Sequence, residues 1–132
     1  YNEVNYIKET VTQIQKSIQN LELIIVDDNS TDGTKEIINQ LNHEKKFKLI
    51  FREKGKGLAS AFLRGIIEAS GDYIGWLDTN MLESIPKFNE MSKLLKTDND
   101  IIILSRYVED GNDKRNLFRS LFSKYFNILC RR

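Results

Sequence analysis

The stretch Leu23-Ile24-Ile25-Val26-Asp27-Asp28-Asn29-Ser30-Thr31-Asp32-Gly33-Thr34 decides how this chain is read. Its first four residues are an unbroken apolar run, three of them β-branched. A run this short, closed by acidic residues, predicts a strand covered on both faces, as in a parallel sheet. The residues that follow are all Asp, Asn, Ser, Thr or Gly, the side chains that close turns and cap helices. A helix is expected directly after, with Ile37, Ile38 and Leu41 inward.

Working outward, the same alternation recurs. Upstream, Val4, Ile7, Val11, Ile14 and Ile18 fall on one face of a 3.6-residue period and predict a helix. Downstream, residues 47–51 read as a second strand, Gly55-Lys56-Gly57 as a turn, and Leu58, Ala61, Phe62, Ile66 and Ala69 as a helix stopped by Gly71. Residues 73–77 predict a third strand ending at Asp78. Phe88, Met91, Leu94 and Leu95 pattern a helix after Pro86, and residues 101–104 a fourth strand ending at Ser105-Arg106. Strands alternating with helices predict the α/β class, with a mostly parallel sheet flanked by helices.

Composition narrows the function classes. The chain has 132 residues, 40% hydrophobic and 30% charged, with a formal net charge of +1, which suits one soluble globular domain. Its one cysteine, Cys130, cannot form an internal disulfide, and its one histidine, His43, excludes a Cys/His zinc cluster and argues against a Ser-His-Asp triad. No apolar run approaches the roughly 20 residues that cross a bilayer. A first residue of Tyr rather than Met leads us to expect a fragment. Charge is uneven: residues 114–132 carry +6 and the rest −5. In that last stretch Leu117, Phe118, Leu121, Phe122, Tyr125, Phe126 and Leu129 form an apolar stripe. The expected organisation is a core over 1–113 and a basic amphipathic helix over 114–132. That helix either packs on the sheet or lies on an anionic membrane surface. Without a nucleic-acid-binding motif, and with an acidic body, no nucleic-acid partner is expected.

In open α/β sheets ligands bind beyond the carboxyl ends of the strands. Those ends carry Asp27/Asp28, Arg52, Asp78 and Ser105/Arg106. Arginine grips phosphate with a bidentate fork, and a carboxylate can hold a divalent cation that the same phosphate also ligates. A phosphate-bearing ligand is therefore expected. Plainer readings stand beside it. Asp27, Asp28 and Asp32 also suit loop and helix caps, and Arg106 a surface ion pair. His43 suits an exposed helix end, and Tyr73 and Trp76 packing against the sheet.

Together the motifs bring a family into view. Tyr1-Asn2-Glu3, LIIVDDNSTDGT at 23–34, GKGLASAFLRGIIEASGDYIGWLD at 55–78, SRY at 105–107 and RSLFSKYFN at 119–127 occur in the family's order. The chain resembles the GT-A family-two glycosyltransferases, and among them the polyprenol-phosphate, dolichol-phosphate mannose synthase-like branch. The resemblance implies a truncated GT-A, Rossmann-like fold whose residues 1–113 form an incomplete nucleotide-sugar-binding core. It implies an inverting transferase that moves a sugar from a GDP-mannose- or UDP-glucose-class donor to a polyprenyl phosphate or other acceptor. The work would take place in the cytoplasm or at the cytoplasmic face of a membrane, with peripheral contact.

By the same resemblance, Tyr1, Glu3, Val26 and Asp28 surround the base and ribose. Asp78, Thr79 and Asn80 occupy the place of the family's Asp-x-Asp, with Asp78 and, more weakly, Asn80 holding Mg²⁺ or Mn²⁺. Arg106 and Arg119 meet the donor phosphates, and Asp78 and Arg106 serve catalysis by stabilising the departing nucleoside diphosphate. Asn80 departs from the usual second Asp, and Leu82 from a frequent Gln. A non-catalytic nucleotide-sugar-binding member is therefore the alternative. A receiver-type phospho-acceptor domain is a remoter one, since Asp27/Asp28, Asp78 and Ser105 mimic its order but its Lys after a fifth strand is missing.

Overall fold

The computed structural model describes residues 1–54 and 57–105. Tyr1–Ile102 form one compact unit, and Ile103 begins a second. The expected basic helix over 114–132, together with Arg106, Arg119, Cys130 and the Gly55-Lys56 half of the turn, lies outside the described residues.

Helix α1 spans Ile7–Ser17 and opens with the amides of Tyr6 and Ile7 both donating to the Glu3 carbonyl at 3.0 Å. Strand β1 follows at Ile24–Asp27, then helix α2 at Thr34–Lys45 and strand β2 at Lys48–Phe51. The two strands pair in parallel, Ile24 opposite Lys48 through Asp27 opposite Phe51. This is a βαβ unit, in which α2 carries the chain back to the start of the next parallel strand. Helix α2 ends where Lys46 turns left-handed (φ 45°), and Asn42 catches the exit by accepting the Phe47 amide on its side chain at 2.7 Å.

Period-2 alternation divides β1 between two layers. Ile25 joins Leu23, Ile37, Phe47 and Leu49 around the buried core of Ile7, Val11, Ile38 and Leu41, contributed by α1 and α2. Val26 points the other way, toward helix α3 (Leu58–Glu68), where a Cβ on Gly65 would lie 3.7 Å from Val26 Cγ2. Helices thus cover both faces of β1, as its apolar run predicts. Ile24, Ile25 and Val26 are nonetheless only half-buried, because the sheet formed by the described residues is two strands wide.

The third and fourth expected strands do not form. Residues 73–77 make no ladder and are held by aromatic contacts instead. Trp76 meets Phe62 of α3 at 5.7 Å between ring centroids, and Gly75 lies against the Phe88 ring so tightly that a Cβ would stand 2.7 Å from Phe88 Cε1. An apolar run reports a need for burial, and here that need is met only in part: Tyr73, Ile74 and Trp76 stay 50%, 49% and 53% exposed. Ile101, 77% exposed, has neither ladder nor cover among the described residues. The expected helix after Pro86 is present as α4, Phe88–Leu95, entered through a 3₁₀ turn at Leu82–Lys87. That turn packs against α1 and seats Ile85 with no exposure at all. Among the described residues no helix is long and apolar enough to cross a membrane.

Candidate functional site

At the carboxyl end of β1 the loop folds around its own carboxylates. Asp27, 2% exposed, accepts the Ser30 amide at 2.8 Å and also the Ser30 hydroxyl. Asp32 accepts the Thr34 amide at 3.1 Å and the Thr34 hydroxyl at 2.5 Å. It does this from one position before the N-cap, Gly33, whose φ of +98° an L side chain rarely adopts. Hydrogen bonds from Thr34, and then from the Val4 amide, hold the Asp32 carboxyl below its usual range against a smaller opposing effect of burial. Asp27 and Asp32 are thus loop and helix caps, which was the plainer reading of both.

This loop captures the leading segment of the chain. The Asn2 amide donates to Ser30 Oγ at 2.8 Å, the Glu3 amide to Thr34 Oγ1 at 2.9 Å and the Val4 amide to Asp32 Oδ2 at 3.2 Å. In return the Thr31 amide donates to Asn2 Oδ1 at 3.0 Å. Residues 2–4 are therefore drawn onto the loop that follows β1. Val26 sits one layer deeper, its side chain packed toward α3.

Asp28 makes a different set of bonds. Oδ1 takes Arg52 Nε at 2.6 Å and Arg52 Nη2 at 2.5 Å, and Oδ2 takes the Gly57 amide at 2.9 Å. Arg52 spends its remaining reach on Ser60 Oγ, at 2.9 Å, and the Gly57 carbonyl, at 3.2 Å. Both side chains are 11% exposed. Burial raises the Asp28 pKa, but the Gly57 amide and the Arg52 guanidinium outweigh it and hold the carboxyl below its usual range. The sequence reading placed Arg52 among phosphate-gripping groups; here its charge is neutralised inside the fold. It joins β1, β2 and the start of α3, and Gly57, with φ of +128°, is the N-cap of that helix.

Asp78 and Asn80 stand exposed on a turn closed by the Met81 amide on the Asp78 carbonyl at 3.0 Å. Between them, Thr79 gives its carbonyl to the Thr10 hydroxyl of α1 at 2.6 Å. The Thr79 hydroxyl is buried without a hydrogen-bond partner among the described residues. The turn is thus pinned to α1 through its middle residue while Asp78 and Asn80 face solvent. One carboxylate and one amide oxygen are hard donors that suit Mg²⁺ or Mn²⁺ held mainly by a ligand's phosphates. They are too few for a cage built from protein alone, and no group of three His, Cys, Asp or Glu side chains gathers among the described residues.

Comparison with known proteins decides the family. The model of glycosyl transferase family 2 matches residues 1–132. The chain belongs to glycosyl transferase family 2. Its βα units are accordingly part of a GT-A, Rossmann-like α/β fold, which leaves the receiver-type reading without support. The chain is similar to a dolichol-phosphate mannosyltransferase of Pyrococcus furiosus, with 39% identity over 130 residues, 94% of this chain and 36% of the relative. A Haemophilus influenzae uncharacterized glycosyltransferase is 40% identical over 82 residues, 61% of this chain and 33% of that protein. A dolichol-phosphate mannosyltransferase of Saccharomyces cerevisiae is 41% identical over 73 residues, 52% of this chain and 27% of that protein. The chain thus spans about a third of the length of the curated relatives it matches.

Sequence reasoning missed the Asp28–Arg52–Gly57–Ser60 network. Its signal was present in the register: Asp27 lies opposite Phe51, so the next residues on the two strands, Asp28 and Arg52, emerge side by side.

Proposed function

We propose that this chain carries the donor-binding part of an inverting glycosyltransferase that moves a sugar from a nucleotide-sugar donor to a polyprenyl phosphate at the cytoplasmic face of a membrane. The observation that carries the reading is the family match over 1–132, joined to a loop after β1 that holds the backbone of residues 2–4. The donor is of the GDP-mannose or UDP-glucose class.

In this reading Tyr1 and Glu3 flank the nucleoside, with Asp28 behind them and Val26 beneath. Asp78, assisted by Asn80 and the Thr79 backbone that fixes the turn, would hold Mg²⁺ or Mn²⁺. When bound, that ion supplies positive charge against the donor diphosphate. Arg106 and Arg119 are assigned to the phosphates by the family resemblance alone. A phosphate acceptor is already an anionic nucleophile, so the chemistry asks no general base of the chain, and His43, exposed at the end of α2, is remote in role. Asn80 in place of a second carboxylate favours one other reading, a member that binds a nucleotide sugar without transfer. The separating experiment is transfer of labelled sugar to polyprenyl phosphate by the whole protein and by its Asp78→Ala variant. Transfer by wild type that falls at least ~100-fold in the variant is expected. Unimpaired transfer by the variant removes Asp78 from the site, and no transfer by wild type favours the non-catalytic reading.

A further inference from the structure

Three successive backbone amides, those of Asn2, Glu3 and Val4, donate to side chains of a single loop. Two of them do so through the same device. Ser30 Oγ accepts the Asn2 amide while its own proton goes to Asp27. Thr34 Oγ1 accepts the Glu3 amide while its proton goes to Asp32 Oδ1. Each carboxylate fixes a hydroxyl's proton, and so turns the hydroxyl's lone pairs toward an amide. A hydroxyl alone could rotate to donate elsewhere; one committed to a carboxylate can only accept.

The captured backbone is itself constrained. Asn2 has φ of 57°, a left-handed conformation that asparagine tolerates better than most side chains and that its surroundings hold in place. Those surroundings are reciprocal bonds, Asn2 N–H to Ser30 and Thr31 N–H to the Asn2 side chain. The direction in which Tyr1 and Glu3 leave the backbone on either side of Asn2 is therefore set by the loop. Val4 completes the stitch, its Cγ2 lying 3.6 Å from where a Cβ on Gly33 would stand.

We infer that Ser30 and Thr34, oriented by Asp27 and Asp32, are positioning residues that template the conformation of residues 1–4 and thereby set which nucleoside Tyr1 and Glu3 accept. The inference rests on the donor-site reading above, and it assigns base discrimination to hydroxyls that meet residues 2 and 3 at their backbone amides. Asp27 and Asp32 then serve the site without meeting the ligand.

The test uses the whole protein, with GDP and UDP titrated calorimetrically against wild type, Thr34→Val, Thr34→Ser and Ser30→Ala, and amide hydrogen exchange followed at Asn2, Glu3 and Val4. Valine keeps the shape of threonine and removes both the proton and the lone pairs; serine restores them. Thr34→Val is expected to lose protection at Glu3 and to bind the preferred nucleotide about tenfold more weakly. The GDP-to-UDP preference should shrink toward unity, and Thr34→Ser should restore both affinity and preference. Ser30→Ala carries the same expectation at Asn2, should Thr34→Val fail to fold. Variants that lose amide protection yet keep wild-type affinity and preference overturn the positioning role alone. Wild type that binds neither nucleotide overturns the donor-site reading, and the positioning role with it.

Discussion

Replacing Arg52 by Met isolates the one ion pair in the described residues that is withdrawn from solvent on both sides. Methionine keeps much of the apolar stem and removes three polar contacts beyond it: the paired bonds to Asp28, the bond to Ser60 Oγ and the bond to the Gly57 carbonyl. Among the described residues Asp28 would keep the Gly57 amide at 2.9 Å as its hydrogen-bond donor, with its side chain still 11% exposed. Stranding one member of a buried pair costs about 3–5 kcal/mol, and the residual exposure places this site near 3. For a chain of 132 residues that is a fall in melting temperature of roughly 10 °C. Urea unfolding at pH 7 should show a lower midpoint with an unchanged slope.

The pH dependence has a definite sign. The folded-state pKa of Asp28 is depressed, so its stabilisation is present above the unfolded value of about 3.9 and is lost as pH falls through the lower folded value. The gap between wild type and Arg52→Met should therefore narrow on acidification below about pH 4. Removing both charges, with Asp28→Asn added, should recover part of the loss, since the stranded carboxylate is its main source. A deficit under about 1 kcal/mol at pH 7, or one that widens in acid, would refute the assignment of Arg52 as an internal clamp.

Two further substitutions probe the packing that holds the site. Ile38→Ala empties a position 1% exposed between α1, α2 and the sheet, and should cost about 3 kcal/mol in urea unfolding. Gly75→Ala sets a methyl group 2.7 Å from Phe88 Cε1 and should cost about 1–3 kcal/mol, with Phe88→Leu in the same chain recovering stability.

The elements that could be read from sequence are those whose signal is local. α1, α2 and α3 follow from apolar residues at helical spacing, and β1 and β2 from short runs closed by Asp27 and Arg52. Residues 73–77 carry the same local signal as β1, yet whether they pair depends on what lies beside them. Phe62 and Phe88, distant in sequence, take up Trp76 and Gly75. The site divides along the same line. The caps made by Asp27 and Asp32 join residues two or three apart and were legible. The Asp28–Arg52 pair, 24 residues apart, exists only once the strand register is known. The stitch from residues 2–4 to Ser30, Thr34 and Asp32 likewise joins residues about 30 apart, and only folding discloses it.

The most direct measurement is a calorimetric titration of the whole protein with GDP and UDP, with and without Mn²⁺, repeated on Asp78→Ala. Binding of one nucleoside diphosphate that strengthens with Mn²⁺, and loses that metal dependence in the variant, is the predicted result. Binding of neither nucleotide, or metal-enhanced binding that survives the loss of Asp78, would contradict a donor site built on this turn.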